Sequence, residues 1–428
     1  MAMLYEIWLR VAHQFGTQAA LVDAPSGRRW TFNELAALGE AEGSGADPTV
    51  FPEARGPEFI VSVIRAWREG RILCPLEPGQ EAPAVAPGLP DGICHLKFTS
   101  ATTGVPRLVA FRPGQLAADA ANIVRTMGLR PDWPNLGAIS LAHSYGFSNL
   151  VLPLLLHGIP LILVGAPLPE ALRAAAAGYE GLTLPAVPAL WRTWHAAGAI
   201  PSNVRLAISA GAPLPLPLEQ EVFATSRLKI HNFYGSSETG GIAYDSSAEP
   251  REDAAEVGAP MQGVEVEIAE DGCVEVRGAA VAETYWPAES GSLKPGVFRT
   301  SDLGEIRAGR VYLRGRAGDM MNLAGRKVSP ESIERVLMTH PRVSECLVFG
   351  VPSPEPGRGE VVAACVAPRG EVSQEELRQF LLTRLPAWQI PRQWWFVEAL
   401  AASARGKLPR AEWRRRFLEF SRASSRPG

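Results

Sequence analysis

Hydrophobic residues in the first ~240 positions recur in two alternating patterns. Leu4, Trp8, Val11 and Phe15 have helical spacing, and similar patterns follow at 32–35, 57–68, 115–127, 168–177 and 187–195. Short apolar runs typical of strands lie among them, at 19–23, 28–31, 71–76, 93–98, 137–141, 160–164, 181–184, 205–209 and 228–232. The alternation predicts an α/β architecture in which a largely parallel sheet carries helices on both faces.

The hydrophobic period changes to two from about Glu256 onward. Short alternating strands separated by glycine turns are predicted at 264–268, 273–277, 304–306 and 311–314, which indicates a small antiparallel β module. A boundary is predicted near 315–318. Beyond it, a helix starting at Ser329, strands at 343–348 and 361–366, and a helix at 375–382 form a compact α+β unit. The predicted domains are residues 1–315 and 316–428.

Composition excludes several classes of protein. The chain has 428 residues with 46% hydrophobic and 20% charged positions, and its formal net charge of −3 gives no general attraction to nucleic acid or anionic membrane. The most apolar stretch, 147–165, contains Pro153 and Pro160 and predicts a buried helix and strand instead of a membrane span. We expect a cytoplasmic protein, because no export signal opens the chain and its five cysteines are scattered without CxxC spacing.

One segment after the predicted strand 93–98 has the composition of a phosphate-binding loop. It reads FTSATTGVPR, and it lacks the GxxxxGK[ST] pattern of a P-loop. Small residues let backbone N–H groups turn toward an anion, hydroxyls add hydrogen bonds and the arginine adds positive charge. An ordinary Ser/Thr/Gly turn is the alternative. The candidate phosphate-binding residues are Thr99, Ser100, Thr102, Thr103, Gly104 and Arg107.

Four segments in fixed order resemble the ANL adenylate-forming superfamily of acyl-CoA synthetases, carrier-protein adenylation domains and luciferases. They are FTSATTGVPR, NFYGSSETG, FRTSDLG with the following GRAGDMMNLAGRKVSPESIE, and ARGKLPR near the C-terminus. The likeness covers nearly the whole chain. It departs from the family at Ala101, where a glycine is usual, and at Arg107, where a lysine is usual. The N-terminal domain also looks shortened, because only about twenty residues separate Glu77 from the loop.

The resemblance implies a role for each matching residue. Glu238 would hold Mg²⁺ against the phosphates of ATP, and Asp302 would accept hydrogen bonds from the ribose; a solvated turn glutamate and an Asx turn are the alternatives. Lys407, on a mobile C-terminal domain, would bridge the acid carboxylate and the α-phosphate. The remaining candidates for the nucleotide site are Gly211, Ala212, Tyr234, Gly235, Ser236, Arg316 and Lys327.

The acid pocket can be outlined from the segments that line it in the family. His143 is a candidate catalytic residue there, with a hydrogen-bonded structural histidine as the alternative. No aspartate occurs in 142–148 to pair with an amino group, and the outlined wall has no charge. An uncharged aryl or acyl tail is therefore expected. The wall consists of His143, Tyr145, Phe147, Ser148, Val187, Ala210, Gly240, Gly241 and Ile242.

The resemblance implies an ATP- and Mg²⁺-dependent ligase that converts a carboxylic acid to an acyl-adenylate and then to a thioester of CoA. Transfer to the phosphopantetheine arm of an acyl carrier protein is one alternative, and a nucleotide-binding scaffold without ligase activity is another. Alternation of the C-terminal domain about a hinge near Gly318 is expected, and that glycine would leave the hinge loose. We expect no nucleic-acid partner and no membrane span. A homodimer is left open.

Overall fold

The computed structural model describes residues 2–41, 47–98, 107–323, 325–353, 360–400 and 410–424. Helices and strands alternate through its first part, as predicted. The elements are α1 (Ala2–Phe15), β1 (Ala19–Asp23), β2 (Arg28–Thr31), α2 (Phe32–Glu40), β3 (Thr49–Val50), α3 (Gly56–Glu69), β4 (Ile72–Leu73), β5 (His95–Phe98), β6 (Leu108–Phe111), α4 (Pro113–Met127), β7 (Asn135–Gly137), α5 (Ser144–Gly146), a π-helical turn (Phe147–Val151), α6 (Leu152–His157), β8 (Leu161–Leu163), α7 (Pro169–Ala176), β9 (Leu182–Ala186), α8 (Pro188–Ala196), β10 (Val204–Ser209), α9 (Leu216–Ser226), β11 (Ile230–Ser236) and β12 (Gly240–Tyr244).

The antiparallel strands that follow continue the main sheet, except β16, which joins a second sheet. They are β13 (Glu256–Pro260), β14 (Val264–Ile268), β15 (Cys273–Gly278), β16 (Thr284–Trp286), β17 (Leu293–Lys294), β18 (Val297–Arg307) and β19 (Arg310–Arg316). The order of the sheet is β14-β15-β18-β19-β13-β12-β11-β10-β9-β7-β8-β1-β2, and β17 pairs with β18. Strands β1, β8, β7, β9, β10 and β11 form its parallel part. The mixed α/β class is confirmed, but the antiparallel strands are not a separate sheet.

A second sheet has the order β16-β6-β5-β4-β3 and packs with the N-terminal helices. The buried faces of α1, α2 and α3 contribute Trp8, Phe32 and Trp67 to one hydrophobic core. Helix α2 begins with a capping box: the Glu34 amide donates to Thr31 Oγ1 at 3.2 Å, and the Thr31 amide donates to the Glu34 carboxylate at 2.7 Å. The same core includes Cys94, the residue directly before β5, which precedes the candidate phosphate-binding segment.

Several strand predictions have the wrong bounds, and two of them concern strands beside the site. The strand expected at 137–141 lies at Asn135–Gly137, because the chain leaves the sheet there to pass behind α5. A Cβ atom on Gly146 would lie 1.9 Å from the Ser140 carbonyl oxygen, so this close approach requires glycine. The strand expected at 228–232 instead runs to Ser236, because its end pairs with β12, which the sequence pattern missed.

The C-terminal part has its own hydrophobic core. Its elements are a 3-10 turn (Ala317–Asp319), β20 (Met321–Leu323), β21 (Arg326–Val328), α10 (Pro330–Leu337), β22 (Val343–Pro352), β23 (Glu360–Pro368), α11 (Gln374–Leu382), a second 3-10 turn (Ala387–Gln389), β24 (Gln393–Phe396) and α12 (Arg410–Ser424). Ile333, Leu337 and Leu377 pack against β22 and β23 in this core. Arg192 on α8 reaches across to Glu345 on β22 at 2.8 Å. The boundary at 315/316 stays a prediction.

Within the described ranges, no helix combines the length and apolar character that crossing a membrane requires. The apolar stretch 147–165 forms the π-helical turn, α6 and β8, as a buried helix and strand were predicted to do. All five cysteines are buried and form no disulfide. Burial raises the pKa of Cys74 and Cys365 to about 12, so both thiols stay protonated at neutral pH.

Candidate active site

The carboxyl ends of the parallel strands carry several predicted site residues. The Ala210 amide, after β10, donates to the Ala186 carbonyl at the end of β9 at 3.2 Å. Gly211 has a φ of +84°, and a Cβ atom there would lie 3.4 Å from the Val187 side chain. Val187, Ala210 and Gly211 therefore meet at one edge of the sheet, where ligands of α/β proteins commonly bind. Ala212 follows them and is half-buried.

Tyr234, Asp302 and Arg316 form one hydrogen-bonded group. The Tyr234 hydroxyl donates to Asp302 Oδ2 at 2.7 Å, and Arg316 Nε donates to Asp302 Oδ1 at 3.1 Å. Asp302 and Arg316 face each other across the antiparallel pair β18 and β19. Burial and the Asp302 charge raise the pKa of Tyr234 well above its usual value, so the phenol stays protonated and donates. The group presents a carboxylate whose two oxygens both have a donor.

Glu238 lies in the turn between β11 and β12 and contacts Tyr285 of β16. The Tyr285 hydroxyl donates to Glu238 Oε1 at 2.9 Å. Burial and the Glu238 charge raise the pKa of Tyr285, so it also stays a donor. The Arg107 guanidinium lies 5.6 Å from the centre of the Tyr285 ring. Tyr285 thus connects the predicted metal-binding carboxylate with the only predicted phosphate-loop residue in the described ranges.

The turn that carries Glu238 depends on a close backbone approach. A Cβ atom on Gly235 would lie 2.4 Å from the Gly240 carbonyl oxygen, so no larger residue fits. The Glu238 amide donates to Ser236 Oγ at 3.2 Å, and that hydroxyl lies 3.0 Å from Thr239 Oγ1. These contacts fix the direction of the Glu238 side chain relative to the sheet.

His143 is held by an acidic residue that the sequence pattern did not single out. Its Nε2 lies 3.0 Å from Glu77 Oε1, and the Ser140 hydroxyl donates to the same oxygen at 2.5 Å. His143 stands directly before α5, and its side chain is 31% exposed. A carboxylate beside an imidazole fixes which ring nitrogen carries the proton.

The other predicted wall residues differ in their access to a ligand. Tyr145 is half-buried, and its hydroxyl donates to the Ile208 carbonyl at 3.3 Å. Phe147 and Ile242 are fully buried in hydrophobic clusters, where Phe147 packs 4.4 Å from the His95 ring. Ser148 is 2% exposed. Phe147 and Ile242 thus support the wall from behind, whereas Tyr145 is exposed enough to contact a ligand.

A buried acidic side chain, Asp119, lies behind this wall, and burial raises its pKa, while the expectation of wall residues without charge stays a prediction. Asp119 of α4 is 2% exposed. Its Oδ2 accepts a hydrogen bond from Ser148 Oγ at 2.6 Å, and its Oδ1 accepts from the Gly241 amide at 3.1 Å. A Cβ atom on Gly240 would lie 2.0 Å from Asp119 Oδ1. The glycine pair therefore makes room for the carboxylate.

Six of the predicted residues lie outside the described residues, and a seventh lies apart from the groups above. Lys327 is exposed on β21 and pairs with Asn322 across the hairpin with β20. The six are Thr99, Ser100, Thr102, Thr103, Gly104 and Lys407.

Two family models match successive parts of the chain. Residues 53–286 match the model described as "AMP-binding enzyme", which is more than half of the chain, and residues 332–407 match "AMP-binding enzyme C-terminal domain". The chain belongs to the AMP-binding enzymes. The predicted membership of the adenylate-forming superfamily is confirmed.

Curated relatives of this AMP-binding enzyme include named CoA ligases. A feruloyl-CoA synthase from Amycolatopsis sp is 29% identical over 360 residues, which cover 79% of this chain and 72% of that protein. A probable 2-succinylbenzoate–CoA ligase from Mycobacterium tuberculosis is 30% identical over 342 residues, which cover 76% of this chain and 85% of that protein.

Solved structures resemble this AMP-binding enzyme over almost its whole length. ATP-bound MatB from Rhodopseudomonas palustris has a TM-score of 0.86 at 20% identity, covering 97% of this chain and 99% of that one. The o-succinylbenzoate CoA synthetase MenE from Bacillus subtilis, in complex with its acyl-adenylate, has a TM-score of 0.80 at 22% identity, with coverage of 95% and 97%. At these identities the likeness concerns the fold.

Four residues of the site escaped the sequence analysis, and two of them had a signal. Asp119 interrupts the apolar face of α4 formed by Leu116 and Ile123, and Lys97 interrupts the apolar strand β5. A charge at a core position is rare unless it is paired or functional. Glu77 and Tyr285 had no such signal, because their contacts depend on how distant segments pack.

Proposed function

We propose that this chain is an AMP-forming ligase that activates a carboxylic acid with ATP and transfers the acyl group to CoA. The observation that carries the proposal is the hydrogen-bonded group of Tyr234, Asp302 and Arg316, together with the Glu238–Tyr285 pair, in a chain of the AMP-binding family.

The nucleotide would lie along the carboxyl ends of β10 and β11. Asp302 would accept hydrogen bonds from the ribose hydroxyls through lone pairs that Tyr234 and Arg316 leave open, since each carboxylate oxygen accepts more than one donor. The adenine would lie between Tyr234 and the backbone at Gly211 and Ala212, where the absence of large side chains permits close approach. Gly235 and Ser236 would shape the floor of this site.

Glu238 would hold a magnesium ion together with the phosphates. The described residues contain no group of three or more His, Cys, Asp or Glu side chains that could bind a metal alone. A single carboxylate fits Mg²⁺, which is commonly held by one or two carboxylates and substrate phosphates. The ion would supply neutralisation of the triphosphate charge. Tyr285 orients the Glu238 carboxylate, and Arg107 adds positive charge beside it.

In the first half-reaction a carboxylate oxygen of the acid forms a bond to the α-phosphorus, and the bond to the bridging oxygen of pyrophosphate breaks. Lys407 would offset the negative charge of the two groups as they meet. In the second half-reaction the CoA sulfur attacks the acyl carbon, the bond to AMP breaks and the thiol proton passes to solvent or a base. His143, oriented by Glu77, would contact the acid at the pocket mouth.

The two half-reactions would use two orientations of the C-terminal domain. We propose residues 1–315 as the nucleotide- and acid-binding domain and 316–428 as the lid that carries Lys407 and Lys327. The separate hydrophobic core around Ile333 and Leu377 supports this division, because a unit with its own core can move as a rigid body.

An aromatic acid and CoA are the proposed substrates. Support comes from the names of the relatives, a feruloyl-CoA synthase and 2-succinylbenzoate–CoA ligases, and of a structural neighbour, an anthranilate CoA ligase. The half-buried ring of Tyr145, 5.9 Å from the Phe233 ring, would give the acid an aromatic surface. A carrier protein in place of CoA is the alternative outcome of the same test.

The test is acid-dependent exchange of labelled pyrophosphate into ATP across a panel of aryl and aliphatic acids. The best acid is then supplied with CoA, or with a carrier protein bearing phosphopantetheine, and the thioester is measured by mass spectrometry. We expect exchange with at least one aryl acid and a thioester with CoA. Glu238→Gln, which removes the charge that binds Mg²⁺, serves as the inactive control. Absence of exchange with every acid would overturn the proposal.

A further inference from the structure

The side-chain nitrogen of Lys97 is buried beside the proposed site and has no hydrogen-bond partner among the described residues. Lys97 is 3% exposed on β5, the strand directly before the candidate phosphate-binding segment. Its Nζ has no hydrogen-bond acceptor and no carboxylate within ion-pair distance among the residues that the structure describes. Its Nζ lies 4.4 Å from the centre of the Phe111 ring. Burying an unpaired ammonium is expensive, and a cation–π contact offsets it only in part.

Two carboxylates from opposite parts of the proposed site favour the charged form of Lys97. Burial lowers the pKa of Lys97, whereas Asp119, which is hydrogen-bonded to the acid wall through Ser148 and Gly241, and Glu238, the proposed metal ligand, both raise it. The charge therefore acts where the acid wall and the nucleotide turn come together. In the proposed reaction this is the place where the acid carboxylate approaches the α-phosphate.

A purely structural role accounts poorly for this arrangement. Replacing a buried charge with an apolar side chain of similar volume is often neutral or stabilising, so stability alone gives no reason for a lysine here. His95, on the same face of β5, also has both ring nitrogens without a partner. Strained or unsatisfied groups that persist in a core are frequently found at functional sites.

We propose that Lys97 is a fixed cation of the adenylation site, whose charge offsets the negative charge of the acid carboxylate and the α-phosphate as they come together. The proposal rests on the proposed function. Lys97 acts through space, as a positioning and electrostatic residue, and it complements the mobile cation Lys407. Preorganised charge in a water-excluded site needs no rearrangement during the reaction.

The decisive probe is the binding of AMP compared with adenosine, which differs only by the α-phosphate. In the full-length Lys97→Met variant, we expect AMP to bind roughly tenfold more weakly while adenosine binding stays unchanged, because Lys97 acts on charge and touches neither ligand. Pyrophosphate exchange should fall by about tenfold or more, less than the loss expected when a contacting donor is removed. Lys97→Arg, which keeps the charge, should recover much of the affinity for AMP and much of the exchange rate.

The matched control is Leu96→Met, a fully buried neighbour on the same strand whose change leaves the charge untouched. It should preserve both affinities and the exchange rate. Equal losses of AMP and adenosine, a Leu96→Met effect as large as that of Lys97→Met, or wild-type behaviour of Lys97→Met would each overturn the inference. Should Lys97→Met not fold, Lys97→Gln replaces it under the same criteria.

Failure of the proposed function gives a different result. If no acid supports exchange in the wild-type chain but AMP is still favoured over adenosine through Lys97, the ligase assignment falls and the electrostatic role stands. If exchange proceeds in the wild type and Lys97→Met is indistinguishable from it, the ligase assignment stands and the proposed role of Lys97 falls.

Discussion

Two lysines are buried in the part of this enzyme that the structure describes, and their surroundings are opposites. Lys229, just before β11, donates to Glu219, to Asp245 at 2.6 Å and to the Ile230 carbonyl at 3.1 Å, which uses all three of its N–H groups. Arg251 completes the cluster by donating to Glu219 Oε2 at 2.8 Å. Two cations thus meet two carboxylates at the base of the sheet. Lys97, by contrast, has no described partner and lies beside the proposed site.

The comparison distinguishes buried charges that stabilise the fold from a buried charge that stays available to a ligand. A buried ion cluster with every donor satisfied is stable as a unit, and its parts cannot be removed singly without leaving an unpaired charge. An ammonium without hydrogen-bond partners contributes little to stability, and its positive charge can act on a bound ligand. Replacing Lys229 by methionine should therefore lower the free energy of unfolding, whereas the same replacement of Lys97 should change it little or raise it.

The largest expected effect is loss of stability in Lys229→Met. It would leave Glu219 with Arg251 as its cation and Asp245 with the partly exposed Arg310, 3.6 Å away, and breaking a buried pair in this way destabilises by about 3–5 kcal/mol. Chemical denaturation monitored by tryptophan fluorescence measures the change. The matched variant Lys97→Met should lose less than about 1 kcal/mol or gain stability. Equal losses of stability in the two variants would contradict the distinction between Lys229 and Lys97.

The Lys229 variant should also change how stability depends on acid. Although burial alone would raise it, the hydrogen bond and charge of Lys229 hold the pKa of Asp245 below its usual value of 3.8. Asp245 therefore contributes stability that is present above pH 4 and lost as pH falls through its lowered pKa. In Lys229→Met this acid-dependent loss should shrink, which denaturation midpoints between pH 5 and pH 3 would reveal.

The next largest effect concerns the cation that is proposed to move. Lys407→Ala should reduce pyrophosphate exchange by roughly 10²- to 10³-fold, the loss typical of a donor that contacts the transition state. The melting temperature should not change. Comparison with the smaller loss expected for Lys97→Met would rank the contacting cation above the fixed one. A loss below about threefold for Lys407→Ala would contradict its proposed role.

An intermediate effect is expected for a carboxylate that is paired but still faces a ligand. Asp302→Asn should weaken AMP binding by about tenfold, because an amide accepts fewer hydrogen bonds from the ribose than a carboxylate does. The control is Asp271→Asn, whose carboxylate pairs with Arg299 on the surface at 2.5 Å. It should leave AMP binding within twofold of wild type. Titration of both variants with AMP distinguishes a ligand-binding carboxylate from a structural one.

The sequence could not distinguish the two lysines. Lys97 stands in HLKF and Lys229 in LKIH, so each lies in a short apolar run with a histidine two residues away. Their difference depends on Glu219 and Asp245, which reach Lys229 only after α9 and β12 have packed against β11. Local patterns report the alternation of elements well, as the capping box at Thr31 illustrates, but they carry no information on such distant partners.

The site was predictable where the motif itself supplied the contacts. Tyr234 and Asp302 are 68 positions apart and still meet as the resemblance implied, because family motifs record which distant segments come together. Asp119 has no place in those motifs, and its contact with the wall was therefore not predicted. The carboxylate becomes visible only when α4 packs against the glycines of β12.

The smallest expected effect tests the electrostatic reach of Lys97 without any ligand. Burial and the Lys97 charge lower the pKa of His95 well below its usual value of 6.5, so the folded protein keeps this imidazole neutral. The unfolded chain takes up the proton near pH 6.5, and stability is lost below that pH with a slope of at most about 1.4 kcal/mol per pH unit.

His95→Phe should remove this contribution, whereas the exposed His13→Gln should not. Lys97→Met should weaken it, because the folded-state pKa of His95 then moves back toward 6.5 and the affected pH range narrows. Denaturation from pH 7 down to pH 3 measures the pH at which this loss of stability levels off; the same value in Lys97→Met and in the wild type would mean that the Lys97 charge does not reach even its neighbour on β5, and the proposed action on a more distant phosphate would fail with it.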